Sequence, residues 1–290
     1  MHGCILINAF YREQEYLYQA HRLREEFGKL GVRAELLTND GFPVTVGEKI
    51  RSELTEYDFC VFWDKDKYLL HALGKLGVRT FNRPDAILAC DDKMTTYLEL
   101  AGNGIPLPAT LPGPLCFREE AEIPLYNAER AEQLLGYPVI VKESYGSQGK
   151  GVYRANDRAE LIAALDALKC KPYLLQQAIV SSFGKDLRVI VVGNAVLGGM
   201  LRRSETDFRS NVGAGGHGTP YAVPDDVRKL SLKIASLLKL DYCGIDFLFR
   251  ENGSPVVCEV NSNAFFHAFE RTTGINVAQK YAEHILSRLR

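Results

Sequence analysis

Near the C-terminus, two strand-like runs at 242–249 and 255–260 are separated by Glu251-Asn252-Gly253-Ser254. Asn-Gly is the strongest two-residue signal for a β-hairpin, through a type I′ turn. No other feature constrains the chain as tightly, because the turn sets the register and the register decides which side chains share a face. With Asn252-Gly253 as the loop, Arg250 faces Pro255 and Asp246 faces Glu259. Carboxylates directly opposite one another repel, with Cβ atoms about 5 Å apart. Asn261 follows Glu259 by two positions and shares its face. Cys243, Ile245, Phe247 and Phe249 point the other way, toward a core. Asp246, Glu259 and Asn261 therefore make a set of hard oxygen donors suited to Mg²⁺ (or Mn²⁺), which keeps waters and substrate phosphates as further ligands. A solvated polar face on an edge hairpin is the competing reading.

A second feature lies upstream. The apolar strand Val139-Ile140-Val141-Lys142 runs into Glu143-Ser144-Tyr145-Gly146-Ser147-Gln148-Gly149-Lys150-Gly151. Glycines let backbone N–H groups approach phosphate oxygens closely, and Lys142 supplies a point charge for them. The segment is not a Walker A loop, because Lys150 is followed by glycine, and its glycine spacing is not that of a dinucleotide fingerprint. Taken in isolation, a flexible hairpin tip is the stronger reading of this segment. Lys93 opens a helix after Cys90-Asp91-Asp92, and Arg202, Arg203 and Arg209 follow an apolar strand. Clustered arginines there hold phosphoryl oxygens or form a solvated loop.

The first 81 residues alternate short apolar strands (3–8, 32–37, 59–63, 78–81) with helical stretches (15–30, 67–75). That pattern predicts an open parallel α/β unit. We place its end at residue 84, followed by a second unit, 85–173, with the glycine-rich segment, and a third, 174–290, with the paired carboxylates. The 35 basic and 36 acidic residues give a net charge of -1, so the basic footprint of a nucleic-acid binder is missing. The seven cysteines are scattered without a CxxC, which argues against a disulfide framework or a zinc site and for a reducing, cytoplasmic setting. No apolar run approaches the length of a membrane span.

Several ordered motifs together resemble the ATP-grasp superfamily, and within it the RimK-type glutamate ligases. They are Cys90-Asp91-Asp92-Lys93, Gly104-Ile105-Pro106-Leu107-Pro108, Val141-Lys142 with the glycine-rich segment, Gln176-Gln177-Ala178-Ile179, Gly184-Lys185-Asp186-Leu187-Arg188, Phe208-Arg209-Ser210-Asn211, Glu259-Val260-Asn261 and Thr272-Thr273-Gly274-Ile275. The resemblance covers about residues 82–290. It implies a mixed α/β and α+β fold: an N-terminal parallel α/β domain and two α+β subdomains that clasp ATP. Lys93 and Lys142 would contact the nucleotide phosphates, beneath a flap containing Gly146, Ser147, Gln148, Gly149 and Gly151. Gln176, Gln177, Ala178 and Ile179 would form the hinge at the adenine, with Asp186 in the same pocket. Arg203, Arg209 and Asn211 would line the γ-phosphate side, with Lys142, Arg203 and Arg209 acting in catalysis. Asp246, Glu259 and Asn261 would hold Mg²⁺.

The implied reaction joins a carboxylate to the amine of an amino acid or peptide through an acyl phosphate, releasing ADP. A small dipeptide or cofactor-tail product and a non-catalytic nucleotide-binding module are the alternatives. Homo-oligomer formation stays open. The chain departs from the family pattern at Gln177, where relatives carry Glu, at Val212-Gly213 after Asn211, and at Ser262-Asn263, where relatives carry Pro-Gly. His267 reads as a packed or surface histidine, with a general-base role as the alternative.

Overall fold

The computed structural model describes residues 1–146, 149–210 and 217–290. The first unit comprises β1 (His2–Ile7), α1 (Gln14–Lys29), β2 (Arg33–Thr38), the small hairpin β3 (Val44–Val46) and β4 (Ile50–Ser52), β5 (Phe59–Trp63), α2 (Lys67–Leu76) and β6 (Thr80–Phe81). Strands β2-β1-β5-β6 form a parallel sheet in that order. All five residues of β5 are buried, as expected of a parallel strand covered on both faces. Each crossover helix stops for a local reason. Helix α1 ends before Gly31 at φ +72°, and α2 is capped by Gly77 at φ +71°.

Helices α3 (Pro84–Asp91) and α4 (Lys93–Leu100) follow. Pro84 is the first residue of α3, where its missing N–H costs nothing. Asp92 caps α4, accepting from the backbone N–H of Met94 and Thr95. The central unit contains β7 (Thr110–Pro112), α5 (Leu125–Leu135), β8 (Val139–Glu143), β9 (Val152–Ala155), α6 (Arg158–Leu168) and β10 (Tyr173–Gln177). Its antiparallel sheet is ordered β7-β10-β8-β9, with α5 and α6 packed on one face.

The last unit contains β11 (Lys185–Val192), β12 (Ala195–Arg203), β13 (His217–Tyr221), α7 (Asp225–Leu237), β14 (Tyr242–Phe249), β15 (Pro255–Asn261), α8 (His267–Thr273) and α9 (Val277–Leu289). Its sheet runs β13-β12-β11-β14-β15, antiparallel throughout. One face buries Leu187, Val189, Ile245 and Phe247 against α3, α4 and α7. On the other side, Tyr242, Phe266 and Tyr281 join Ile5, Phe59 and Trp63 of the parallel sheet in a single core. Asn82 pins this junction. Its amide N–H groups donate to the carbonyls of Tyr242 and Ser262, and its oxygen accepts from the N–H of Asp241 and Tyr242. Among the described residues no helix is long and apolar enough to cross a membrane.

The hairpin that opened the sequence reading exists, but its turn is not type I′. That turn needs positive φ at both central residues. Gly253 has φ +78° and Asn252 is not in the left-handed region. Gly253 N–H donates to the Arg250 carbonyl at 2.8 Å, and Arg250 N–H to the Ser254 carbonyl at 3.0 Å. This is a three-residue loop closed by a left-handed glycine. Phe249 therefore pairs with Pro255. A bulge that leaves Cys258 unpaired then restores the opposition of Asp246 and Glu259.

Candidate active site

The site is a row of charge across the last sheet. Arg188 pairs with Asp246 between β11 and β14, Asp246 with Glu259 between β14 and β15, and Asp186 with Arg202 between β11 and β12. Period-2 alternation brings these side chains to one face. Arg188 grips Asp246 with two bonds, Nε to Oδ1 at 2.8 Å and Nη2 to Oδ2 at 2.7 Å. Arg202 grips Asp186 likewise, at 2.6 and 2.5 Å, and its Nη2 also lies 2.9 Å from Asp246 Oδ2. Burial alone would push the Asp246 carboxyl up. The two guanidinium groups outweigh it and hold the carboxyl below its ordinary value. Glu259 has its nearest cation in Lys93, 3.7 Å away. The repulsion anticipated between facing carboxylates is thus met by cations on either side.

Arg202 was expected only as one of a cluster with Arg203 and Arg209, and Arg188 only as part of a motif; strand alternation places both on this face. Arg203, expected beside the γ-phosphate, lies elsewhere in this structure. It is exposed on the opposite face of β12 and reaches neither cavity, while Arg202 takes the inward position.

Whether these residues suit a divalent cation can be tested on the donors themselves. The Asn261 side chain has a buried amide nitrogen without a hydrogen-bond partner among the described residues. Glu259 leaves carboxylate lone pairs unbonded, and Asp246 retains acceptor capacity beyond its arginine bonds. Among the described residues no cluster of three His, Cys, Asp or Glu is placed for a metal. The set is two carboxylates and an amide, and hard oxygens of this kind fit Mg²⁺.

Glu259 also stands where two cavities meet, since it lines both. The smaller, about 110 Å³, lies between the central and last sheets. Ile140, Val152, Ile179 and Leu248 give it apolar walls, and Lys93, Lys142, Lys185 and Arg209 give it cations. Lys142 is 8% exposed, and its ammonium donates to Gln176 Oε1 at 2.8 Å. Gln176 is itself held through Nε2 on Thr110 Oγ1 at 3.0 Å. The Cys258 thiol is 3.9 Å away, and burial raises it, so it does not offset the charge. Lys142 therefore presents a positively charged group, anchored by a neutral amide, to the cavity. An apolar slot with cations at one end suits a nucleotide base and its phosphates.

Gln176, Gln177, Ile179, Asp186, Asp246 and Glu259 line this cavity, and Ala178 does not. Of the flap glycines, Gly146 and Gly149 line it. Gly151 shapes the loop instead. It has φ +68°, and a Cβ there would sit 2.7 Å from the Glu143 side chain. The loop carbonyls are caught by cations: Lys93 Nζ donates to Gly146 at 2.8 Å and Arg209 Nη1 to Gly149 at 2.7 Å. Ser147, Gln148 and Asn211 lie outside the described residues.

The larger cavity, about 270 Å³, lies between the parallel sheet and the last sheet. Asn8, Trp63 and Asp64 line it from the first unit, and Arg188, Arg202, Glu259 and Asn261 from the last. His267 lies on its wall and packs against Tyr18, with ring centroids 4.3 Å apart.

The model of the RimK-like ATP-grasp domain matches residues 90–285. Beta-citrylglutamate synthase B of Danio rerio is 41% identical over 231 residues, covering 78% of this chain and 55% of the relative. N-acetylaspartylglutamate synthase A of Homo sapiens is 40% identical over 229 residues, covering 78% and 57%. The chain thus spans little more than half the length of these two relatives. The crystal structure of D-alanine–D-alanine ligase from Bacillus anthracis complexed with ATP shares the fold, with a TM-score of 0.75 at 17% identity, covering 100% of this chain and 97% of the other. With most of its length matched by that domain model, the chain belongs to the family of RimK-like ATP-grasp domains.

Proposed function

We propose that the chain is an ADP-forming carboxylate–amine ligase, with an amino acid, L-glutamate first among candidates, as the amine substrate. The observation that carries this reading is the placement of Glu259 at the meeting of two cavities. One suits a nucleotide, and the other has room for a small acid and an amine. The relatives' names support glutamate, since both are synthases of glutamate conjugates.

ATP bound with Mg²⁺ supplies the phosphoryl group that converts a carboxylate into an electrophilic acyl phosphate. Asp246, Glu259 and Asn261 would hold the metal at the seam. Lys142 and Lys93 neutralise phosphate oxygens, and Arg209 carries a further charge to the same rim. The loop bearing Gly146 and Gly149 excludes water that would otherwise hydrolyse the activated acid. Arg188 and Arg202, fixed by the aspartates, hold a positive face toward the acid and toward the oxyanion formed when the amine attacks. The nucleotide is clasped between residues 85–173 and 174–290, and the first 84 residues complete the wall of the acceptor cavity.

The test is ADP release, with product mass spectrometry, when the protein is given ATP, Mg²⁺, L-glutamate and a panel of carboxylates. An amide product with stoichiometric ADP is expected. Nucleotide binding without ADP release under every mixture would overturn the ligase reading and leave a nucleotide-binding module.

A further inference from the structure

The parallel sheet has the order β2-β1-β5-β6, so its chain connections reverse direction between β1 and β5. Ligands of open α/β sheets bind in the crevice outside the carboxyl ends of the strands at such a reversal. In this chain Asn8 follows β1 and Asp64 follows β5, and both line the larger cavity.

Asp64 is unusual for its charge. It is 8% exposed and makes no ion pair among the described residues. Its Oδ1 accepts from Asn8 Nδ2 at 3.2 Å and its Oδ2 from Asn39 Nδ2 at 2.8 Å. Asn263 Nδ2 donates to its backbone carbonyl at 2.8 Å. Two asparagines, Asn8 and Asn39, thus orient the carboxylate without neutralising it, and a third, Asn263, holds the backbone of the same residue. Lys65, the next residue, pairs instead with Asp91 at 2.8 Å. Burial raises the Asp64 carboxyl, against the bonds from the Lys65 backbone and Asn8, and the nearby Asp66 and Asp91 add to the rise. Buried carboxylates are ordinarily paired with a cation. The far wall of the same cavity carries Arg188 and Arg202, each paired with an aspartate, together with Glu259.

Resting on the ligase reading above, we infer that Asp64 is the receptor for the substrate's ammonium group. The amine substrate is an α-amino acid that enters the larger cavity as a zwitterion with its ammonium on Asp64, and it gives up a proton there before the free amine attacks the acyl phosphate, the arginine wall being left to the acyl group. Asn8 and Asn39 are positioning residues that keep the carboxylate aimed at the ligand.

Trp63 is the single tryptophan of the chain and lines this cavity beside Asp64, so its fluorescence reports occupancy. The experiment titrates the wild type and Asp64→Asn with L-glutamate and with glutarate, which keeps both carboxylates and lacks the amine. The wild type should prefer L-glutamate, and Asp64→Asn should weaken L-glutamate by roughly 30-fold or more while leaving glutarate and ATP affinity unchanged. In turnover the same variant should raise KM for L-glutamate and not for ATP. Asn39→Ala, which removes an orienting amide and keeps the charge, should give an intermediate loss confined to L-glutamate, and it serves as the test should Asp64→Asn not fold. ADP release with L-glutamate at an unchanged KM in Asp64→Asn would overturn this inference alone. ADP release with no amine at all would overturn the ligase reading, and this inference with it.

Discussion

Asp246 and Glu259 are direct cross-strand partners, although the turn joining their strands sets the residues between them one step out of that register. The unpaired Cys258 makes up the difference, and its carbonyl accepts from the Tyr97 hydroxyl at 2.5 Å. The bulge is therefore part of how the site is built. Of the two carboxylates, Glu259 is the one without an arginine partner among the described residues, so its loss falls on chemistry and not on packing. Glu259→Gln should lower ADP release by roughly 100-fold or more. It should change stability by no more than about 0.5 kcal/mol. A coupled ADP assay and thermal unfolding check both halves.

Neighbouring arginines on β12 should behave oppositely. Arg202 is 4% exposed and neutralises Asp186 and Asp246, so Arg202→Ala leaves two buried carboxylates short of a cation. The expected loss is about 3–5 kcal/mol. Arg203 is exposed, and Arg203→Ala should cost less than about 0.5 kcal/mol and leave turnover near wild type. Denaturant unfolding of the two variants distinguishes them directly.

The Asp246 carboxyl predicts an acid limb. Its folded value is depressed, because Arg188 and Arg202 outweigh burial. A depressed carboxylate contributes stability that is fully present above its unfolded value, about 3.9, and is lost as pH falls through the folded one. The unfolding temperature should drop as pH falls below about 4. Asp246→Asn should flatten that part of the profile while lowering stability at neutral pH. A steep limb that persists unchanged in the variant would refute the assignment.

Asn82→Ala removes four hydrogen bonds at the junction of the first and last units. It leaves buried peptide groups of Asp241, Tyr242 and Ser262 without those partners. A loss of about 2–4 kcal/mol is expected. Protection from hydrogen exchange should fall first at β14 and the segment carrying Ser262.

Much of this was legible in the residues. Alternating apolar strands and helices of residues 1–81 announced the parallel sheet, because buried parallel strands are short continuous apolar runs. The opposition of Asp246 and Glu259 was legible too, though through two errors that cancel. The loop has three residues where two were expected, and the bulge adds one back. Helix α3 was not read, because Pro84 looked like a terminator when it is the first residue of a helix. Strands β7, β9 and β13 are short and carry weak alternation, and pairing with long neighbours specifies them. Arg188 and Asp64 escaped notice for a shared reason. Strand alternation puts Arg188 on the site face, but the significance of each residue comes from partners far away in sequence, Asp246 for Arg188 and Asn8 and Asn39 for Asp64.

The cations that rim the nucleotide cavity already have acceptors in the protein: Lys93 holds the carbonyl of Gly146, and Arg209 that of Gly149. Phosphate oxygens reaching those side chains compete with the loop carbonyls for their donors. Affinity for the nucleotide is then a difference between two sets of bonds, and the loop acts as a tethered competitor for the charges it covers. Changes that weaken the tether without touching the cations should tighten nucleotide binding and slow its escape least, which separates grip from speed in this fold.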